Sequence, residues 1–383
     1  MTDTAVLAAG RFIWAAGERD ADMLYATGLA TPDPFLWFSL PGLTGAVLNP
    51  LELGRARKLA QPGLRIFSEP ELRALLELSP ATRMTPDAAL PALGRKYGVA
   101  RWDAPGSTPF GTVERLRGAG LAVAPAEPFF PSRQIKTPAE IAKIRAGMQL
   151  AELGLDRALD ILREALAPGP GRVLHWHGAV LTAEILRGEI TAAVALAGGT
   201  AAHTIAAPGV QGADPHQAGT GPVRAGEPIV IDIFPRVDAT GYHGDLTRTV
   251  VKGSASETVR RAWEAVRAAQ RAALDLVREG VPAKALHLAA VAVLGKAGFV
   301  TDLQADPPRG FFHGLGHGLG LEVHEAPRVN STAEPLLQAG EVITIEPGWY
   351  DSAWGGIRIE DSVAVTASGC ENLATAPVFL ELP

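Results

Sequence analysis

The chain has 383 residues, 47% hydrophobic and 20% charged, with a net charge of −6. That is an ordinary globular composition, long enough for two domains with their own cores, and it lacks the basic runs that a nucleic-acid partner would need. The single cysteine, Cys370, excludes an internal disulfide and suits a reducing compartment.

The stretch up to Asp20 is interrupted by Asp3, Arg11 and Glu18, and no basic segment precedes an apolar core. Neither a signal peptide nor a membrane span is expected, and the expected location is the cytoplasm. Phe35–Ser39 and Gly45–Asn49 read as strands around a Pro-Gly turn, Leu51–Ala60 as a helix and Leu64–Phe67 as a strand. Ser68, Pro70 and Glu71 form a capping box that opens another helix. Val99–Trp102 and Leu121–Ala124 read as strands flanking a helix over Thr108–Leu116. Alternating strands and helices predict a small α/β domain over residues 1–133. It shows no catalytic constellation.

Residues 125–135 (PAEPFFPSRQI) read as a proline-rich linker. Thr137-Pro138-Ala139-Glu140 is a second capping box, predicting a helix to about Leu166 and a second domain over residues 134–383. From Ile190 onward strand-like segments dominate, with helices predicted over Glu257–Glu279 and Ala283–Gly298.

Four segments carry chemistry. IVIDIF (229–234) is an apolar strand with one acid, Asp232, and the next strand opens with Asp245. A hairpin between them brings the two acids side by side, although a turn cap and an arginine-paired acid explain this pair equally well. GFFHGLGHGLGLEVHE (310–325) places His313, His317 and His324 within twelve residues, among glycines at 314, 316, 318 and 320. Those bare positions allow close approach of a ligand or of another chain segment. EVITIEPG (341–348) ends a strand on Glu346, with Thr344 on the same face, and IRIEDSVAVT (357–366) puts Arg358 and Glu360 on one face. Together these are four carboxylates and one imidazole: Asp232, Asp245, His317, Glu346 and Glu360. Oxygen ligands with one nitrogen suit Mn2+, Co2+ or Zn2+, and four negative charges balance two divalent ions. Crowded without metal, four carboxylates repel and do not all stay ionised.

The segments IDIFPRVDATGYHGDLTRT, HGLGHGLGLEVHE, TIEPGWY and GGIRIED, in that order over residues 136 to 376, resemble the pita-bread metallopeptidases: prolidases, aminopeptidase P and methionine aminopeptidases. The resemblance implies a curved antiparallel sheet backed by helices in the second domain, so the whole chain is expected to be mixed α/β (α+β). It implies that Asp232 chelates one of two metal ions, that His317 and Glu346 bind the other, and that Asp245 and Glu360 bridge them. Glu346 matches the proton acceptor, and His216 (in ADPHQAG) and His324 match residues that bind substrate and steady the tetrahedral intermediate. His313 matches a histidine lining the substrate pocket, and Arg358 an arginine turned toward the site. His175, His177, His203, His243 and His287 are read as structural or solvated.

The resemblance departs at one place. The Asp232–Asp245 connector is slightly longer than expected, and Phe234-Pro235-Arg236 stands where small residues are usual, which reshapes a pocket wall. The extra N-terminal domain favours the Xaa-Pro branch over methionine aminopeptidases, and the intact ligand set distinguishes the chain from creatinases. The implied activity is hydrolysis of the bond before proline, in Xaa-Pro dipeptides ahead of longer peptides. Short proline-containing peptides are the expected partners, with a homodimer and no nucleic-acid or membrane partner. A non-catalytic peptide-binding module and a metal-dependent hydrolase of non-peptide substrates are the alternatives.

Overall fold

Strands and helices alternate through the first third of the chain and close into one sheet. The computed structural model describes residues 9–169 and 171–383. The signal-peptide expectation rests partly on residues 1–8 and so lies partly outside the described residues. The chain divides into two compact units, with the break between Arg133 and Gln134.

The first unit runs β1 (Ala9–Ala15), α1 (Ala21–Thr27), β2 (Phe35–Leu40), β3 (Leu43–Leu48), α2 (Pro50–Leu59), β4 (Arg65–Ser68), α3 (Glu69–Leu75), α4 (Pro86–Tyr97), β5 (Arg101–Pro105), α5 (Phe110–Gly118) and β6 (Ala122–Ala126). The sheet order is β4-β3-β2-β1-β5-β6. Its outer pairs are parallel, and β1–β2–β3 is an antiparallel meander. Consecutive residues point to opposite faces, so Phe12, Leu36 and Phe38 enter one core while Ile13 and Trp37 enter another. The Ser68 box forms as predicted: Glu71 N–H donates to Ser68 Oγ at 3.3 Å, and Ser68 N–H donates to Glu71 Oε2 at 2.7 Å. Three elements go beyond the sequence reading. β1 and α1 lie in the stretch read only for targeting signals, and α4 holds Pro91 in its interior, where a proline argues against a helix. The expected linker is partly structured, since β6 runs to Ala126 and Pro131–Arg133 form a 3-10 turn.

The second unit opens with α6 (Pro138–Glu164), capped by the Thr137–Glu140 box. A short hairpin, β7 (His175–Trp176) and β8 (Ala179–Val180), leads to α7 (Ala183–Leu196). This corrects the strand-like reading that began at Ile190: Leu186, Ile190 and Val194 recur every fourth residue and form the buried face of a helix. Then come β9 (Gly199–Thr200), β10 (Ile205–Pro208), β11 (Pro228–Ile233), β12 (Arg236–Val237), β13 (Leu246–Lys252), α8 (Glu257–Leu274) and α9 (Ala283–Lys296). The chain finishes with β14 (Gly316–Gly318), β15 (Glu325–Val329), β16 (Val342–Ile345), β17 (Gly348–Asp351), β18 (Gly355–Arg358), β19 (Asp361–Val365), β20 (Cys370–Asn372) and β21 (Glu381–Leu382). α8 stops at Leu274, short of the predicted Glu279.

Two half-sheets result, β10-β11-β13-β21 and β15-β14-β16-β19-β20, with β17–β18 as a separate ribbon. Apart from β13–β21 their pairings are antiparallel. Helices α8 and α9 pack on the second half-sheet and the ribbon through Val259, Trp263, Val266, Leu286 and Leu294 against Ile343, Ile357, Ile359 and Val363. On the first, Gly154 of α6 has no Cβ, and one there would lie 3.0 Å from Ile190 and 3.3 Å from Ile233. The half-sheets touch through a backbone bridge between Thr247 and Glu360. Among the described residues, no helix is long and apolar enough to cross a membrane.

Candidate metal centre

The acids are brought together by strand register. In the β11–β13 ladder Asp232 pairs with Thr247, and Asp245 lies two residues before Thr247 on the same face, diagonal to Asp232. Glu360 reaches that face from the other half-sheet, where Thr247 Oγ1 donates to Glu360 Oε2 at 2.6 Å. His317 is the centre of β14. A Cβ at Gly316 would lie 1.9 Å from the Thr344 carbonyl oxygen, and one at Gly318 would lie 2.1 Å from that of Ala326. Those two glycines therefore admit neighbouring backbone, one of the two uses their pattern allows.

The His317 N–H donates to Thr344 Oγ1 at 3.1 Å, and Thr344 Oγ1 lies 3.2 Å from Glu346 Oε1. His317 Nδ1 lies 3.2 Å from the Gly318 carbonyl. That contact fixes the ring so that Nε2 faces Glu346 Oε1 at 3.2 Å and Asp245 Oδ2 at 3.7 Å. Asp245, His317 and Glu360 offer ligand atoms within 4.8 Å of one another.

Burial raises the carboxyls of Asp245 and Glu360 well above the carboxylate range, with further elevation from the neighbouring acids. Asp232 is also raised, by burial first, although Arg358 opposes the shift. Glu346 goes the other way: burial pushes it up, but His317, His313 and Arg358 outweigh that and hold it at about 2. Four acids in one dry site thus do not all ionise without cations, as their crowding predicts. Asp232 pairs with an arginine, as the simpler reading has it: Arg358 Nη2 donates to its Oδ2 at 2.7 Å. Asp232 Oδ1 nevertheless stays buried with no hydrogen-bond partner. An orphaned carboxylate oxygen beside three further acids and an oriented imidazole nitrogen fits a divalent cation site.

These residues floor a cavity of about 950 Å3 whose wall includes His216, His313, His324 and Arg358. The His324 ring meets His317 edge-on with centroids 4.3 Å apart, and burial followed by the His317 charge lowers its pKa. His313 Nδ1 lies 2.7 Å from the Gly314 carbonyl, and its Nε2 lies 2.9 Å from the Tyr350 hydroxyl. Burial pushes His313 down to about 4 and Tyr350 up to about 12. The imidazole is therefore neutral, and its Nε2 accepts the phenolic proton. Arg358 donates to Asp232, Thr247 Oγ1, Tyr350 Oη and the Pro215 carbonyl, so four of its five N–H groups serve the protein.

Several residues of the cavity wall, and the buried Tyr350 behind it, escape the sequence reading. Tyr350 links His313 to Arg358; its hydroxyl would lie 2.4 Å from a Cβ at position 348, a place held by the glycine of EPG. His203, read as structural, lines the cavity. Arg328 pairs with His317 across β14–β15 and stands exposed at the cavity wall. Its side chain makes no hydrogen bond or ion pair among the described residues. Phe234, flagged for its connector, does line the wall, with Phe312, Val323 and Ile205.

Residues 142–367 match the model of metallopeptidase family M24. The Xaa-Pro dipeptidase of Pyrococcus furiosus is 39% identical over 171 residues, 44% of this chain and 46% of that protein. The Xaa-Pro dipeptidase of Lactobacillus helveticus is 30% identical over 241 residues, covering 62% of this chain and 59% of that one. The chain thus spans about half the length of the Pyrococcus relative it matches. Among solved structures, the prolidase from Pyrococcus horikoshii OT3 superposes with a TM-score of 0.77 at 25% identity, covering 97% of this chain and 94% of that one. The X-Pro aminopeptidase from Thermotoga maritima gives 0.80 at 22% identity over 98% and 97%, a likeness of fold.

Proposed function

The chain belongs to metallopeptidase family M24, and from that premise we propose that it hydrolyses the peptide bond before proline, in Xaa-Pro dipeptides ahead of longer peptides. The observation that carries this reading is the convergence of Asp232, Asp245, His317, Glu346 and Glu360 on the floor of one cavity, in a chain similar to Xaa-Pro dipeptidases over part of its length. The family's use of divalent metal fits that donor set. Two ions, of Mn2+, Co2+ or Zn2+, match the charge of four carboxylates.

When bound, such ions polarise the scissile carbonyl and lower the pKa of an attacking water toward about 7. Glu346, held ionised beside His317, takes the proton of that water at Oε1 or Oε2 and returns it to the proline nitrogen as the C–N bond breaks. His324 and His216 face the same cavity and donate N–H groups to the carbonyl oxygen as negative charge develops there. His313 and Tyr350 act inward: they hold Arg358, which holds Asp232. Phe234, Phe312, Val323 and Ile205 form an apolar wall suited to the pyrrolidine ring and the preceding side chain. A bond to proline has no N–H and a fixed φ near −65°, so shape and carboxylate recognition do the selecting. Arg328, exposed and unengaged on the wall, supplies the cation for the free carboxylate. A homodimer and a cytoplasmic location complete the reading; sedimentation and cell fractionation test them.

Leu-Pro, Leu-Pro amide, Leu-Pro-Pro and Met-Ala-Ser, compared in one manganese-containing buffer, test the reading. Leu-Pro is expected to be the best substrate. Arg328→Ala should lower its kcat/KM by about tenfold, the worth of one charge-assisted hydrogen bond, with little effect on the amide. Preference for Met-Ala-Ser overturns the proline reading. No hydrolysis of any peptide with metal bound moves the weight to a binding module or to a non-peptide substrate.

A further inference from the structure

Outside the cavity, one side chain is tied to both half-sheets at once. Arg248 follows Thr247 on β13, is 3% exposed and takes no part in the cavity wall. Each of its five N–H groups has an acceptor. Nε donates to the Pro377 carbonyl at 3.2 Å, and Nη1 donates to the carbonyls of Thr247 at 3.0 Å and Glu360 at 2.6 Å. Nη2 donates to Asp361 Oδ1 at 2.8 Å and to the Ala376 carbonyl at 2.9 Å. Asp361 Oδ2 accepts from Gln270 Nε2 at 3.3 Å and Asn372 Nδ2 at 3.1 Å. A buried ion pair with every donor and oxygen satisfied holds one geometry, whereas a half-satisfied one would not.

That geometry lies at the seam of the candidate metal centre. The Thr247 carbonyl, gripped by Arg248, also accepts from the Glu360 N–H at 3.0 Å. Glu360 is thus fixed at its N–H, at its carbonyl and, through Thr247 Oγ1, at its carboxylate. Two residues further on, Ser362 Oγ donates to the Asp245 carbonyl at 3.0 Å. We propose that Arg248, braced by Asp361, is a positioning residue that sets the spacing between Asp232 and Asp245 on one half-sheet and Glu360 on the other, and so sets the affinity for divalent cations. The inference rests on the metal-centre part of the proposed function and not on which peptide is cleaved. A lysine places three donors on one atom and does not reach five acceptors spread over two half-sheets and the chain end.

The test titrates metal-free wild type, Arg248→Lys, Asp361→Asn and Leu294→Ala with manganese(II) chloride by calorimetry, alongside the metal-free thermal midpoint. Leu294→Ala truncates the core at α9, outside the cavity wall, and controls for lost stability. Arg248→Lys should raise the Kd for manganese by at least about tenfold, the range for lost outer-shell partners. Asp361→Asn should move it in the same direction by less, and Leu294→Ala should leave it unchanged. The proposal is overturned if Arg248→Lys binds manganese as tightly as Leu294→Ala. Should Arg248→Lys fail to fold, Asp361→Asn decides by the same criterion. Wild type that binds manganese but cleaves no Xaa-Pro peptide sinks the peptidase reading alone.

Discussion

The two units treat charge in opposite ways. Among the described residues of the first, the buried polar side chains are Thr27, Thr31 and Thr112, and none is charged. The second buries Lys136, Asp232, Asp245, Arg248, His317, Glu341, Arg358, Glu360 and Asp361. Burying an ion costs several kcal/mol unless it is paired and hydrogen-bonded, so a fold that needs only stability leaves its charges outside. The first unit does this: the pair between Arg101 and Asp103, 2.9 Å apart, leaves the arginine 60% exposed. In the second unit most of that buried charge lies in or beside the candidate metal centre.

The largest effect should come from breaking that concentration. Asp245→Ala or Glu360→Ala should lower hydrolysis of Leu-Pro by more than the roughly 100-fold ceiling for outer-shell losses, with metal content reduced in elemental analysis. Retention of a tenth of the wild-type rate would show that these two acids are not shared ligands. If His324 and His216 donate to the developing oxyanion as proposed, His324→Ala and His216→Ala should cost on the order of 100-fold in kcat while metal content holds. If His324→Ala loses metal and His317→Ala keeps it, the two roles are reversed.

A milder perturbation sharpens the contrast between units. Manganese at about 100 times its Kd should stabilise the unit from Gln134 onward by about 2.7 kcal/mol and leave the first unit's unfolding where it was. Calorimetry with and without the ion reads both, and equal shifts would contradict the confinement of the site. The smallest effect belongs to the surface: Arg101→Ala should cost less than about 1 kcal/mol, and raised salt should shrink even that.

The legible parts of the sequence are those where local chemistry decides. Both capping boxes form because Ser68–Glu71 and Thr137–Glu140 satisfy their own backbone donors. Asp232 stands out because an acid interrupts an apolar strand. What escaped depends on tertiary context. Ile190 reads as strand locally, but its partners at Leu186 and Val194 make it helical. Arg328 and Tyr350 gain their places from cross-strand register with His317 and from the ribbon pairing of Gly348 with Arg358, neither of which a single sequence reveals. Arg358 was expected to face substrate. It lines the cavity, while four of its five N–H groups go to Asp232, Thr247, Pro215 and Tyr350.

The glycines of β14 decide what redesign of this site would tolerate. With the Thr344 and Ala326 carbonyls at 1.9 and 2.1 Å from where side chains would begin, positions 316 and 318 accept no larger residue without displacing the strand that carries His317. Those two positions are therefore closed to substitution, and new substrate range is better sought at the apolar wall. Phe234 and Phe312 are the widest levers there. Trimming either would enlarge the cavity while leaving Asp232, Asp245, His317, Glu346 and Glu360 in place, so a library confined to those two positions would change the guest and spare the candidate metal centre.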